Sequence, residues 1–231
     1  MLLDDTIDAV LLDAGGVLVL PDPIRMREAL APHGASPDDD TCWLAHYRGM
    51  REVDRLGMPD WPTVDRVVAR TAGVPEDRIE GALPAIERIY LAEDWVPAPG
   101  AAGAMRALEA AGLQLAIVSN ASGKMEQLLL EHRICGLDGE EMAKVAVVID
   151  SHVVGVEKPD PHIFSFALAA LGVPPERCVF IGDSVHFDVE GARNAGIRGL
   201  HLDPFGLCDD DDHGHVTSLS DFAVRAIRED G

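Results

Sequence analysis

Two short segments place carboxylates directly after apolar runs, where metal or phosphate chemistry could occur. Asp13 follows Leu12 and opens the segment D-A-G-G-V-L, and Asp183 follows the apolar run 180–182. Asp188 comes five residues after Asp183, about one helical turn into the next predicted helix. Three carboxylates at one edge of a fold would repel one another, and a hard divalent cation with oxygen ligands would relieve that repulsion. The pattern therefore predicts a Mg²⁺ site.

A hydroxyl, an amide and an ammonium group follow similar runs. Ser119 and Asn120 come directly after an apolar stretch, and Lys158 precedes the rigid sequence P-D-P at a predicted helix entrance. Gly15 and Gly16 would let the backbone turn sharply and present N–H groups to an anion. Carboxylates, a cation, a hydroxyl and a lysine in one place suit an incoming phosphate group.

The elements that would position these residues alternate along the chain. Short, nearly continuous apolar runs predict strands that are covered on both faces; they lie at 9–12, 115–118, 145–149, 178–181 and 198–202. Helices are predicted between the later runs, which indicates a doubly wound, mainly parallel α/β sheet. Ligands bind at the carboxyl ends of such strands. Asp150 and Asp203 follow strands in the same way, so a turn or capping role is the alternative for any one of these acids.

The first two predicted strands are about a hundred residues apart, too far for a simple crossover. We interpret 22–96 as an inserted all-helical cap and 1–21 with 97–231 as the core. Within the cap, S-P-D-D at 36–39 predicts a helix start with proline at its first position, and Pro84 predicts a break or kink. In the core, helices are expected at four places: 100–111, 122–131, 161–172 and 185–195.

The amino-acid composition limits the classes of function that the protein can have. The 231 residues carry 19 basic and 40 acidic side chains, a formal net charge of −21, which argues against binding to nucleic acid or to anionic membranes. No signal peptide or membrane span is predicted, and the four cysteines form no C-x-x-C pair, so a cytoplasmic location is expected. The acidic run 209–212 beside His213 and His215 is interpreted as a solvated loop rather than a metal site.

Four segments together resemble the motifs of the haloacid dehalogenase-like superfamily, in the branch with a helical cap inserted after the first motif. They are D-A-G-G-V-L at 13–18, V-S-N at 118–120, G-V-E-K-P-D-P-H-I-F at 155–164 and G-D-S-V-H-F-D-V-E-G-A at 182–192. One such motif would be weak support, but four in order cover nearly the whole chain. The resemblance implies a Rossmann-like core and a hydrolase, with a phosphatase as the first expectation.

The resemblance also implies roles for individual residues. Asp13 resembles the nucleophile that forms an aspartyl-phosphate, Ser119 the hydroxyl that binds the phosphoryl group, and Lys158 the cation that neutralises its charge. Asp183 resembles a direct Mg²⁺ ligand and Asp188 a ligand through water. The implied metal ligands also include Asp13 and the main-chain carbonyl of Gly15; Gly16 and Asn120 would join the phosphate site.

The chain departs from the phosphatase pattern at Gly15, where such enzymes usually carry a second Asp as general acid and base. General acid–base catalysis contributes roughly 10²–10⁴ in rate. One hypothesis is a phosphatase that manages without this group or takes an acid from the cap; the candidates are Asp22, His46, Glu52 and Asp54. The alternatives are a phosphate- or metal-binding regulatory protein with little turnover, and a dehalogenase-like hydrolase.

Other features of the sequence stay open. The expected substrate is a small phosphorylated metabolite whose identity depends on the cap, and no oligomeric state is predicted. Ser184 is interpreted equally as a helix cap or as a group near the metal, and His186 as a helix-surface residue. The tryptophans at 43, 61 and 95 are expected to pack in or beside the cap.

Overall fold

The computed structural model describes residues 7–91, 95–139 and 141–228. Its residues fall into two compact units, one formed by those up to Leu18 and from Pro97 onward, the other by Val19–Val96. We call them the sheet unit and the helical unit. Among the described residues, no helix has both the length and the apolar composition needed to cross a membrane.

The sheet unit is built on six strands whose pairings are parallel. The order across the sheet is β10-β9-β8-β1-β4-β7, which confirms the predicted α/β class. The strands are β1 (Ala9–Leu12), β4 (Gln114–Ser119), β7 (Val148–Asp150), β8 (Cys178–Gly182), β9 (Arg198–Leu202) and β10 (Gly214–Val216).

The central strands form because their side chains are apolar on both faces. Every residue of β1 is fully buried, and Leu12 pairs with Ile117 of β4 on one side and with Ile181 of β8 on the other. On one face of the sheet, Phe164 packs edge-to-face on Phe180, with ring centroids 5.0 Å apart. Burial at this density makes the register of the three strands strongly specified.

Six helices and a small strand pair complete the described part of the sheet unit. They are α5 (Ala101–Ala110), α6 (Met125–Glu131), α7 (Ser151–Val154), α8 (His162–Leu171), α9 (Gly191–Asn194) and α10 (Leu219–Arg228), with β5 (Cys135–Gly136) pairing parallel to β6 (Ala143–Lys144).

Two of the predicted helices differ from the observed ones, the first in where it begins and the second in helix type. The helix predicted from 122 begins only at Met125, because the Asp150 carboxylate accepts hydrogen bonds from the backbone N–H groups of Gly123 and Met125, at 2.8 and 3.3 Å. The helix predicted over 185–195 is a π-helical turn, Val185–Glu190, followed by α9. The wider turn places Asp188 where its carboxylate reaches back to the backbone N–H of Ser184, at 3.0 Å.

Strand β10 was not predicted, because its three residues contain a histidine and a glycine and no apolar run. It is held by parallel pairing with β9, in which His215 lies opposite His201. Its one fully apolar side chain, Val216, is buried. Strand β10 therefore forms because it pairs with β9, and its own sequence carries no strand signal.

The described residues of the helical unit form four α-helices and a two-stranded pair. They are α1 (Pro23–Leu30), α2 (Asp39–Leu56), α3 (Trp61–Thr71) and α4 (Ile79–Leu91), with β2 (Val19–Pro21) pairing β3 (Trp95–Pro97). Short 3₁₀ turns at Ala31–His33 and Glu76–Arg78 link the helices. Their apolar faces meet in a core that includes Met26, Leu30, Val68 and Ile86.

Two local predictions in this unit were wrong. Helix α2 begins at Asp39 rather than at Pro37, because Asp38 is the N-cap and accepts the Thr41 N–H at 2.8 Å. Helix α4 continues through Pro84, so the break that was one of the two expected outcomes there does not occur. Proline removes one backbone hydrogen bond, but burial of Ile86 and Ile89 on the same helix outweighs that loss.

One carboxylate of the helical unit opposes folding at neutral pH. Burial, together with the charge of Glu87, raises the pKa of Asp65 from 3.8 to about 6. A carboxyl group in the unfolded chain has a pKa of about 3.9. The folded state therefore binds more protons between these values, and the contribution of Asp65 to stability falls as the pH rises from about 4 to about 6.

We predict that Asp65→Asn stabilises the protein above pH 6, by about 1 kcal/mol after allowance for solvent screening at this partly exposed site. Below pH 4 the variant and the wild type should be equally stable, since Asp65 is then protonated in both states. Urea unfolding across this pH range measures the difference. Asp77→Asn, at an exposed position, is the charge-matched control, and equal gains from both variants at pH 7 would contradict the prediction.

Candidate functional site

The carboxyl ends of three neighbouring strands bring the predicted polar residues together. Asp13 directly follows β1, Ser119 is the last residue of β4, and Asp183 directly follows β8. Asp13 is fixed by its own backbone N–H, which donates to the carbonyl of Ile181 at 2.9 Å. The Ser119 hydroxyl interacts with the Asp13 carboxylate and acts to lower the pKa of that carboxyl. All three side chains are buried.

Lys158 is the cation of this cluster. Its Nζ lies 2.9 Å from Asp13 Oδ1 and 2.7 Å from Asp188 Oδ1, and the residue is only 1% exposed. The ammonium group also lies 5.2 Å from the ring centroid of Phe180. A buried lysine with two carboxylate partners is fixed in position far more firmly than a surface lysine. If the ammonium group moved away from either carboxylate, it would leave a buried charge without its partner, which costs free energy.

Two glycines allow the carboxylates to approach the backbone this closely. Gly16 has φ +71°, and a Cβ atom built on it would lie 2.0 Å from Asp183 Oδ2. A Cβ on Gly182 would lie 2.1 Å from the carboxyl carbon of Asp188. A side chain at either position would displace a carboxylate of the cluster, so the sequence needs glycine there.

The electrostatics of the cluster follow from burial and from the shared cation. Burial raises the pKa of Asp13 above its ordinary value, although Lys158 opposes the shift. Burial also raises the pKa of Asp188, again against Lys158 and with a further rise from Asp183. For Lys158, burial alone would lower the pKa, but the two carboxylates outweigh it and the pKa is raised.

The donor set fits a hard divalent cation. Asp13, Asp183 and Asp188 each offer a carboxylate oxygen, and these oxygens all lie within 4.8 Å of one another. Three ionised carboxylates and one ammonium leave two negative charges that Lys158 does not neutralise. Oxygen ligands with excess negative charge are the ligand type that Mg²⁺ prefers. The residues present therefore fit the ion that the sequence predicts.

Asn120 positions Lys158 through the backbone. Its Nδ2 donates to the Lys158 carbonyl at 3.0 Å, and its Oδ1 accepts from the Lys158 N–H at 2.8 Å. The amide thus joins the end of β4 to the loop that carries the lysine. No contact of this kind is evident from a single sequence, since the two residues are 38 positions apart.

The remaining acids at strand ends have capping roles, the alternative given for them above. Asp150 accepts the N–H groups of Gly123 and His152, at 2.8 and 3.0 Å. Asp203 accepts those of Leu207 and Cys208, both at 2.9 Å. The Asp150 carboxylate thus holds the loop that follows β4 and the start of α7, and the Asp203 carboxylate holds the loop that follows β9.

Other candidates also have local partners. Ser184 caps the following turn by accepting from the Phe187 N–H at 3.1 Å, and His186 lies 3.5 Å from Glu190. Of the possible substitute acids, all lie in the helical unit. Asp22 caps α1, Glu52 pairs with Arg55 at 2.7 Å, and His46 is buried among the rings of Tyr47, Tyr90 and Trp95.

Sequence reasoning missed a second cluster at the end of the sheet. The acids 209–212 are exposed, as a solvated loop predicts. His213 and His215, however, lie together with His201 and Cys208, and one ligand atom from each lies within 4.8 Å of the others. The spacing C-x₄-H-x-H was visible in the sequence, but His201 joins it only through the pairing of β9 with β10.

The family model and the curated relatives that match this chain agree on one family. The family model for haloacid dehalogenase-like hydrolase matches residues 7–196. Among curated proteins, the chain is 33% identical to a phosphoglycolate phosphatase of Caulobacter vibrioides over 145 residues, 60% of this chain and 57% of that protein. It is 47% identical to a phosphoserine phosphatase of Thermus thermophilus over 58 residues, 25% of this chain and 23% of that one. The chain spans about a fifth to just over half of the curated relatives' length.

Solved structures share the fold. A dehalogenase with an intermediate complex has a TM-score of 0.62 at 24% identity, with 95% of this chain and 97% of that chain covered. A HAD phosphatase of Thermococcus onnurineus has a TM-score of 0.58 at 21% identity, with 96% and 98% covered. At such identities the likeness establishes architecture, and chemistry must be argued from the site.

We predict that Asn120→Ala destabilises the protein by about 1–3 kcal/mol, because the backbone N–H and carbonyl of Lys158 lose their partner in a partly buried setting. Urea unfolding in the absence of divalent cations measures this loss. Asn194→Ala, at an exposed position of α9, is the matched control. Equal stabilities of the two variants would show that Asn120 does not hold the Lys158 loop.

Proposed function

The chain belongs to the haloacid dehalogenase-like hydrolase family, and from that premise we propose that it is a Mg²⁺-dependent phosphatase of small phosphorylated metabolites. One observation carries the proposal. The buried Lys158 ammonium contacts the carboxylates of Asp13 and Asp188, while a third acid, Asp183, contributes to the same cluster of oxygens. This group of side chains pairs a candidate nucleophile with positive charge and with ligands for a metal ion.

In the proposed first step, an oxygen of Asp13 attacks the phosphorus atom of a phosphate monoester. A bond forms between that oxygen and phosphorus, and the bond to the alcohol oxygen breaks with its electron pair leaving on that oxygen. Lys158 stabilises the negative charge on the phosphoryl oxygens, and the Ser119 hydroxyl donates a hydrogen bond to one of them. Phosphoryl transfer depends mainly on such positioning and charge stabilisation.

In the second step, water attacks the phosphorus of the aspartyl-phosphate, inorganic phosphate leaves, and the Asp13 carboxylate is regenerated. Splitting the hydrolysis in this way replaces one difficult step by two easier ones. The fixed position of Lys158 supports both steps, since the same oxygens carry charge in each.

Asp13, Asp183 and, through water, Asp188 would hold the Mg²⁺ ion, with the carbonyl of Gly15 as a further proposed ligand. When bound, the ion would add positive charge beside the phosphoryl group. The support on this chain is the excess of carboxylate over ammonium charge in the cluster. Gly16 and the neighbouring backbone N–H groups remain proposed phosphate contacts.

The leaving alcohol needs a proton that residue 15 does not supply. Gly15 has no side chain that could donate it. We propose that the enzyme acts on phosphates whose leaving group needs little protonation. Three of the four candidate substitutes, Asp22, His46 and Glu52, are engaged in local contacts within the helical unit, which argues against them as proton donors.

The domain roles are part of the proposal. We assign 1–21 and 97–231 as the catalytic core and 22–96 as a cap that selects the substrate. The names of the phosphatase relatives support a small phosphorylated substrate. A regulatory protein with little turnover and a dehalogenase-like hydrolase remain the alternatives. The acid cluster around Asp183 favours the phosphatase over the dehalogenase, since metal-free displacement at carbon does not need a cation site.

We predict that the wild type releases phosphate from an aryl phosphate only with Mg²⁺ and that Asp13→Asn abolishes this release, because an amide oxygen is a far weaker nucleophile. Phosphate is measured colorimetrically before and after chelation. Asp8→Asn is the matched control, since it removes the same charge from a surface ion pair with Arg177.

Each part of the proposal has its own contradicting result. Phosphate release by Asp13→Asn would overturn Asp13 as the nucleophile, and release that is unaffected by chelation would overturn the Mg²⁺ requirement. Halide release from 2-haloacids without metal would overturn the phosphatase assignment. Metal binding by the wild type with no turnover across about a hundred phosphorylated metabolites would instead support the regulatory alternative.

We predict that Gly15→Asp raises turnover of alkyl phosphates, whose leaving groups are poor, by up to about 10²–10⁴-fold through general acid catalysis. Aryl phosphates should gain much less. Gly15→Asn, which has the same size but no acidic proton, is the control. If both variants fold and neither changes the ratio of alkyl to aryl turnover, the proton is supplied elsewhere.

A further inference from the structure

A second group of potential metal ligands lies at the edge strand of the sheet unit. His201 belongs to β9, His215 to β10, and Cys208 and His213 to the segment between these strands. One ligand atom from each residue lies within 4.8 Å of the other three. The phosphatase mechanism uses none of these side chains.

The strand pairing explains how the cluster forms. His201 and His215 are partners in the parallel register of β9 with β10, so their side chains stand on the same face of the sheet. Their ring centroids are 5.5 Å apart. His213 precedes β10 by one residue, and its ring lies 4.6 Å from that of His215.

The loop brings the thiol to the three rings. Asp203 accepts the backbone N–H of Cys208 at 2.9 Å and fixes that residue. Cys208 Sγ then lies 3.7 Å from His213 Nε2. Four ligands at about 2.0–2.3 Å around a tetrahedral ion would be roughly 3.3–3.8 Å apart. This pair is already at that separation, and the remaining distances need only a modest contraction.

Hydrogen bonds indicate the tautomers of two of the rings. Asp212 Oδ1 lies 2.6 Å from His213 Nδ1. A carboxylate only accepts, so Nδ1 carries the proton and Nε2 presents a lone pair toward the thiol. In the same way, the Asp183 carbonyl, 3.3 Å from His201 Nε2, assigns the proton of that ring to Nε2 and leaves Nδ1 as its ligand atom. The His213 side chain is only 1% exposed.

His215 supplies a second, independent indication. Its Nε2 is buried and has no hydrogen-bond partner among the residues that the structure describes. An imidazole nitrogen that is removed from water and left without a partner costs free energy. Coordination to a metal ion would satisfy it.

We propose that His201, Cys208, His213 and His215 bind Zn²⁺ as a structural site. Three imidazole nitrogens and a thiolate match the borderline-soft character of zinc and not that of Mg²⁺. Four protein ligands close the coordination shell, so the ion would be structural rather than catalytic. It would tie β10 and the preceding loop to β9 and, through His201, support the backbone of Asp183.

The test measures the binding of Co²⁺ and Zn²⁺ to the full chain after chelation has removed any bound metal. Excess Mg²⁺ is present so that it occupies the site with oxygen ligands. We expect one equivalent of Co²⁺ to bind, with the visible bands of tetrahedral cobalt and a near-ultraviolet thiolate-to-cobalt band, both removed by Zn²⁺. Asp13→Asn should keep these bands, which separates this site from the one proposed for catalysis.

Variants identify the ligands. Cys208→Ser should lose the thiolate band, whereas Cys42→Ala should keep it. His213→Gln should weaken binding, whereas His162→Gln, at an exposed position of α8, should not. Asp212→Asn should lower the affinity for Zn²⁺ about 10–100-fold by releasing the orientation of His213.

Zn²⁺ should also raise the thermal midpoint of the wild type but not that of His213→Gln. The proposal is overturned if the wild type binds Co²⁺ without a thiolate band, if it binds no Co²⁺ or Zn²⁺ at micromolar concentration, or if Cys208→Ser keeps the band. Because these readouts are spectroscopic and thermal, they do not depend on whether the protein proves to be a phosphatase.

Discussion

The contact of one buried ammonium group with two carboxylates is the interaction on which the candidate site depends. Lys158 is removed from water and held between Asp13 and Asp188. Removing one partner of such a buried pair typically costs 3–5 kcal/mol. The lysine therefore has a single favourable position, and it fixes the side chain that we propose as the nucleophile. A phosphate would meet a preorganised charge, which is the condition for electrostatic catalysis.

The fold supplies this contact through features that are each individually ordinary. Apolar strands align the ends of β1, β4 and β8, the π-helical turn directs Asp188 backward, and Asn120 fixes the loop of Lys158. The close approaches at Gly16 and Gly182 complete the arrangement. The proposed zinc site would support the same region, since His201 Nε2 lies 3.3 Å from the carbonyl oxygen of Asp183.

Much of the fold and of the candidate site was predictable from the sequence. The same physical reasons explain which contacts were not. Asp13, Ser119 and Asp183 follow apolar runs, so the predicted sheet already placed them at one edge. Spacing and residue type already placed Asp188 and Lys158 at the same site, and the resemblance gave them specific roles. Their contact was not predictable, because no periodicity reveals a contact across 30 residues. Tertiary packing overrode the local signal of Pro84. Strand β10 and its histidine cluster depend on register with β9, which local pattern does not encode. The roles in catalysis and in metal binding stay predictions.

The most direct measurement of the central claim is to identify the atom that receives the phosphoryl group. The wild type is mixed with an aryl phosphate and Mg²⁺, quenched in acid within one turnover and reduced with borohydride, which converts an aspartyl-phosphate to homoserine. Peptide mass spectrometry then locates the change. The account predicts homoserine at position 13 and at no other acid. Phosphate release in the same reaction with an unmodified Asp13, or with homoserine at another position, would contradict it.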